Sequence, residues 1–296
     1  MRQGARGSVL GVTAYLILSF GIAWGFWEAF LPKSSSADLS RFELYLLPGA
    51  FAPALATFIV RKWITREGFG DAGLGLHLRQ WPYYLIAWLL PIGVVAFIVA
   101  VAEIFGLAHP DFSMCTALDH LAPQQASHCQ PGIINYRGPL SLLIAAPFAA
   151  PLLFGEEFGW RGYLQLRLFA SRPTLAAVAT GLIWGLWHLP LILRGFEFPG
   201  NPVIGTGIFC TGTILIAIIF GWLRRKSGSV WVTSLAHSAT NVIGGSLTAL
   251  WFPDLSTKIM VGYLGFMSWI PLGLLCAWIV IRRTPARGDD RAAEAL

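Results

Sequence analysis

Residues 139–163 read PLSLLIAAPFAAPLLFGEEFGWRGY. From Pro139 to Gly155 there is no charged residue; then come Glu156, Glu157 and, four further on, Arg161. A run that long and that apolar predicts a membrane-spanning helix. A carboxylate at mid-bilayer costs a few kcal/mol by insertion scales. Two adjacent carboxylates therefore require one of two things. Either the chain leaves the bilayer here, or the charges face a protein interior and act there.

The rest of the chain has the same character. Of 296 residues, 55% are hydrophobic and 12% charged, against about 25% charged in a soluble domain. The fold expected is all-α, a polytopic membrane protein with about eight transmembrane helices and both termini cytoplasmic. The spans fall at about 8–31, 43–60, 81–107, 139–166, 175–193, 202–223, 229–251 and 259–281. The first is too long for a signal-peptide core and has no small-residue cleavage site, so it reads as an uncleaved span. Orientation follows from the basic residues. With the N-terminus inside, only Lys33, Arg41, Arg137, Arg194 and Lys258 of the 21 Lys and Arg lie outside. The net charge of +6 is then cytoplasmic-loop Lys and Arg, and no compact basic domain points to nucleic acid.

Three regions follow: 1–135, the first three helices and an external loop; 136–250, a core of helices four to seven; 251–296, the last helix and a polar cytoplasmic tail. The tail is expected to be disordered. Cys210 and Cys276 lie in apolar runs and read as small core residues. Cys115 and Cys129 share the external loop, where a disulfide can form; two free thiols are the alternative.

Three polar constellations interrupt the second half. In the first, Glu157 and Arg161 are four apart with the Glu on the N-terminal side, the better order for a helical pair. Glu156 points about 100° away, so one carboxylate is neutralised locally and the other left free. The plain reading is an interfacial pair beside a solvated Glu156; the chemical reading is a general base beside a structural ion pair. In the second, Trp184 and His188 share a helix face. A lone helical His is more often a core residue than a catalyst, but at membrane depth it is a functional candidate. In the third, His237 and Asn241 share a face. Asn can act purely as helix–helix glue; a His and an Asn aimed together can also stabilise one oxyanion. There is no HExxH zinc motif and no GxSxG nucleophile elbow.

Order and internal spacing of these motifs — Glu156-Glu157-Phe-Gly-Trp-Arg161, Trp184-xxx-His188, His237-xxx-Asn241 — resemble those of the CAAX protease and bacteriocin-processing (CPBP, or Abi) family, which includes the type II CAAX prenyl endopeptidases. The second motif of that family usually opens with Phe; here it opens with Trp184. The resemblance covers about 139–245 and implies an intramembrane endopeptidase. Glu156, helped by His188, would activate water; His237 and Asn241 would stabilise the tetrahedral oxyanion; Glu157, held by Arg161, would orient the site, with Trp184 in its aromatic slot. A second chemistry open to the same residues is that of a metalloprotease, with Zn2+ on Glu156, His188 and His237 and one position left for water. No cofactor is otherwise implied. The implied partners are the lipid bilayer and a membrane peptide or lipidated protein, with prenylated CAAX-type C-termini among the candidates. The expected location is the plasma membrane. Two other classes fit the residues: a non-catalytic scaffold or bacteriocin-immunity protein on the same fold, and a transporter using Glu156, His188 and His237 as a proton relay.

One mismatch predicts an irregularity. Glu156 lies roughly 26 Å below the outer start of its span, and His188 roughly 20 Å above the inner start of its own. In a core about 30 Å thick these depths disagree. A kink at Pro147 or Pro151, a deeper start to the fourth span, or an interfacial start to the fifth would reconcile them.

Overall fold

In the computed structural model the described residues are 2–31, 46–121, 129–198 and 201–282. Among them every regular element is helical. The main helices are α1 (Arg2–Phe30), α2 (Ala52–Ile59), α3 (Trp81–Ile104), α4 (Cys115–Leu121), α5 (Arg137–Gly159), α6 (Pro173–Trp187), α7 (Leu189–Leu193), α8 (Pro202–Ser227), α9 (Val230–Ala239), α10 (Ser246–Trp251), α11 (Lys258–Val261) and α12 (Phe266–Ile281). The polar tail expected after Arg282 lies outside the described residues.

Five helical stretches are long and apolar enough to cross a membrane: Val9–Phe30, Leu78–Ile104, Arg137–Arg167, Pro202–Ser227 and Lys258–Ile281. They match five of the eight expected spans. The other three apolar segments are broken or short, each for a local reason. The second is helical at 46–50, restarts as α2 with Pro53 in its first turn, and widens into a π turn at Val60–Ile64. The fifth, α6, has 15 residues and stops at His188. Pro190 has no N–H for the carbonyl of Leu186, and its ring disfavours helical geometry in the residue before it. The seventh is continuous from α9 through a π turn (Thr240–Gly245) into α10. It buries Thr233, Ser234, His237, Ser238 and Thr240, which lowers its apolar character.

Helix length leaves room for the two depths to agree. The stretch Arg137–Arg167 has 31 residues, about 46 Å at 1.5 Å per residue, well beyond the roughly 30 Å hydrocarbon core. Glu156 need not lie as deep as a span beginning at the interface would place it.

Burial is inverted relative to a soluble protein. Leu, Ile, Phe and Trp side chains are exposed along α1, α3, α5 and α12, as a bilayer-facing surface requires. On α1 the buried side chains are Tyr15, Ser19, Ala23 and Trp27, one stripe at four-residue spacing. α5 packs on α9, and α6 on α8. The second contact depends on two glycines. A Cβ on Gly181 would lie 2.6 Å from Cα of Ile214, and one on Gly185 2.9 Å from Cα of Cys210. Small residues four apart let these two backbones approach closely.

Cys115 and Cys129 are bonded, with Cα atoms 5.6 Å apart. Cys210 and Cys276 are free and buried.

Candidate active site

The first motif sits where α5 gives way to a π turn at Trp160–Leu164. Glu157 and Arg161 are both fully buried and form an ion pair at 2.7 Å. Burying two charges is tolerable only when they are paired and hydrogen-bonded. Glu157 has a second partner: its Oε1 accepts from Nδ1 of His237 at 3.1 Å. This contact joins the first motif to the third across 80 residues of chain.

Glu156 is also buried, at 5% exposure, yet its surroundings differ. Its Oε2 accepts from the indole Nε1 of Trp184 at 2.7 Å and of Trp160 at 3.3 Å. No cationic side chain hydrogen-bonds to it among the described residues. Two adjacent carboxylates thus have opposite surroundings, one between Arg161 and His237, the other between neutral donors.

His188 caps the end of α6. Its Nδ1 lies 2.8 Å from the carbonyl oxygen of Trp184. A carbonyl only accepts, so Nδ1 carries the hydrogen and Nε2 presents its lone pair. The same reasoning applies to His237 against the Glu157 carboxylate. In its neutral form His237 therefore offers Nε2 as an acceptor. It donates to an oxyanion only as the imidazolium, for which Glu157 is the counter-charge.

Aromatic rings pack these groups together. Arg161 lies over the Trp184 ring at 4.5 Å and over Phe220 at 5.0 Å. The rings of Trp184 and His237 are edge-on, 5.0 Å apart. Five of the residues singled out in the sequence beside Trp184 bear on this cluster as follows. Glu156, Glu157, Arg161, His188 and His237 are brought together through it; Asn241 is placed differently. It is exposed, inside the Thr240–Gly245 π turn, and hydrogen-bonds to no other described side chain. An α-helical spacing of four puts His237 and Asn241 on one face, but the wider π turn changes that register.

Donating Nδ1 to an oxygen is how metal-bound imidazoles are commonly held. Even so, among the described residues no group of three His, Cys, Asp or Glu is arranged to hold a metal ion. Glu156, His188 and His237 do not fit a three-ligand zinc site as they stand.

Three contributors are not evident in the sequence. Trp160 donates to Glu156; its place in the first motif is the one hint. The N-terminal helix holds the end of α6: Trp24 Nε1 donates to the carbonyl of Trp187 at 2.8 Å, and Trp187 Nε1 donates to the carbonyl of Ser19 at 3.2 Å. Arg61, which reads as part of a basic stop after the second span, is instead fully buried. It donates to Asp71 at 2.7 Å, to the carbonyl of Gly68, and to the carbonyl of Gly162 in the π turn at 3.0 Å. Nothing in the local sequence separates a buried arginine from a loop arginine.

Fold and site define an all-helical integral membrane protein with a buried carboxylate–histidine centre. Residues 136–243 match the family model described as type II CAAX prenyl endopeptidase Rce1-like. The chain is also 26% identical over 241 residues to CAAX prenyl protease 2 of Methanococcus maripaludis, covering 77% of this chain and 82% of that protein. The resemblance read from the motifs agrees with both matches, and together they support an intramembrane protease.

Proposed function

We propose that the protein is an intramembrane endopeptidase in which Glu156 is the general base. The observation that supports this most directly is the unequal treatment of the two carboxylates. Glu157 is committed to Arg161 and His237. Glu156 meets only indole N–H groups among the described residues and keeps one oxygen, Oε1, without a hydrogen bond. Glu156 therefore has an oxygen left to accept from a water, and Glu157 has its Oε1 already taken.

The reaction runs in two steps. Glu156 takes a proton from water as the water oxygen attacks the scissile carbonyl carbon, and Nε2 of His188 accepts a hydrogen bond from that water. The tetrahedral oxyanion is met by the His237 imidazolium. The C–N bond then breaks, and the proton held by Glu156 passes to the leaving amine. The products are a carboxylic acid and an amine, which ionise to a carboxylate and an ammonium. Glu157 and Arg161 hold His237 and the π turn throughout.

The substrate class is a membrane-associated peptide, with prenylated CAAX C-termini the candidates that the relative's name suggests. The test is cleavage of a membrane-peptide library, including matched farnesylated and unfarnesylated CAAX peptides. Purified wild type and Glu156→Gln are compared, each with and without a tight zinc chelator. Cleavage lost in the variant alone is expected. Loss on chelation would transfer the chemistry to a metal. Equal cleavage of matched peptides would remove the prenyl group from the substrate definition. No cleavage by wild type would favour a scaffold or immunity role.

A further inference from the structure

Trp184 is 3% exposed, and both its side chain and its backbone act on the site. Its Nε1–H donates to Oε2 of Glu156 at 2.7 Å. Its carbonyl oxygen accepts Nδ1–H of His188 at 2.8 Å. Its ring lies beneath Arg161 and beside His237.

The backbone bond is available because the helix ends there. In an unbroken α-helix the carbonyl of residue 184 would accept the N–H of residue 188. Here the His188 N–H bonds to the carbonyl of Gly185 instead, at 3.2 Å. Pro190, two residues on, cannot extend the helix. The freed carbonyl of Trp184 is one of the orphan acceptors that every helix C-terminus leaves, and the imidazole of His188 fills it. That bond fixes the tautomer and the direction of Nε2.

The side-chain bond acts in the same way on Glu156. Two indole N–H groups converge on Oε2, and Oε1 receives none from the described residues. A carboxylate anchored through one oxygen has the direction of the other determined. The ring contacts with Arg161 and His237 limit where the indole itself can move.

We infer that Trp184 is a positioning residue whose indole N–H and backbone carbonyl together aim Oε1 of Glu156 and Nε2 of His188 at the same water. This rests on the reading of Glu156 as general base. A phenylalanine at 184 keeps an aromatic ring and the carbonyl, and removes the N–H together with the rest of the five-membered ring.

The experiment compares wild type, Trp184→Phe, Trp160→Phe and Glu156→Gln in detergent, on a peptide that wild type cleaves. It also follows the indole N–H signals of 15N-tryptophan-labelled protein. Trp184→Phe is expected to lose about 10- to 100-fold in kcat with KM within about twofold, since small misplacement of a reacting group costs that much. Its melting temperature is expected to stay near wild type. Trp160→Phe, which removes the longer bond, is expected to lose less. The Trp184 indole signal, identified by its disappearance in Trp184→Phe, is expected to move upfield in Glu156→Gln.

Wild-type kcat in Trp184→Phe would overturn the inference. So would a loss that follows melting temperature alone, which is what a packing role gives. An indole signal indifferent to Glu156→Gln would overturn the contact itself, and this readout needs no substrate. The two failures separate. Turnover by Glu156→Gln overturns the general-base reading. An inactive Glu156→Gln beside a fully active Trp184→Phe overturns the positioning role alone.

Discussion

Glu156 and Glu157 are neighbours in the chain with opposite surroundings. Helical geometry alone separates their directions, and the spacing to Arg161 identifies which of them is paired. That much is legible in ten residues. That Glu157 also receives His237, and that Glu156 is held by Trp184, is not, because those partners lie 80 and 28 residues away. Two substitutions read this difference. Glu156→Gln is expected to abolish cleavage while the protein stays folded, since the amide keeps the shape and still accepts from the indoles; a wild-type melting curve together with lost turnover is the check. Arg161→Ala is expected to cost stability as well as activity. It leaves Glu157 in the interior without its guanidinium partner, a loss of about 3–5 kcal/mol by analogy with other broken buried pairs. A thermal scan that matches wild type would show that the pair contributes little to the folded state.

Elements set the site by where they stop. α6 ends at His188, and its last carbonyls become partners for side chains. The Pro190 that ends it is visible in the sequence; the use made of the end is not. The two π turns at Trp160–Leu164 and Thr240–Gly245 are likewise silent in a reading based on α-helical spacing. Asn241 lies in the second and is exposed. The loop after α2 straps these ends together. Arg61 reaches Gly162 and Asp71. Arg167 reaches Glu67 and Asp71. Arg224 donates to the carbonyl of Asp71, and Trp231 to that of Leu74. Partial burial raises the Asp71 carboxyl, but the Arg61 hydrogen bond and the charges of Arg61 and Arg167 outweigh it, so its pKa lies below the usual value. A carboxyl lowered in the folded state stabilises above its unfolded pKa, near 4. That contribution is lost as pH falls through the lower folded value. Unfolding in detergent followed from pH 7 to pH 3 is therefore expected to show an acid-sensitive component that is smaller in Asp71→Asn. A second element-level expectation concerns α6 and α8. Gly181→Leu forces a side chain onto the backbone of Ile214 and should lower both melting temperature and yield, whereas Gly21→Leu, which meets no atom within 4 Å, should not.

At the scale of the whole molecule, the N-terminal helices do more than anchor. α1 supplies Trp24 and Ser19 to the end of α6, so a chain lacking α1 is expected to lose activity although every motif residue remains. Co-expression of α1 as a separate segment, with recovery of cleavage as the readout, checks this. The bonded Cys115 and Cys129 are expected to appear as one linked peptide in nonreducing mass spectrometry; labelling of both by an impermeant thiol reagent in intact cells without reduction would contradict it. What the sequence by itself determined is the medium, the helical class and the candidates for reactive side chains. Apolar run length and the rarity of charge fix the first two, and Glu156, His188 and His237 announce themselves because a polar group at depth is costly without a purpose. What only the tertiary structure decided is which carboxylate is neutralised, which imidazole nitrogen is presented, and which arginine is buried. Those depend on hydrogen bonds between side chains distant in sequence, and local spacing holds no record of which distant partner fills a given donor or acceptor.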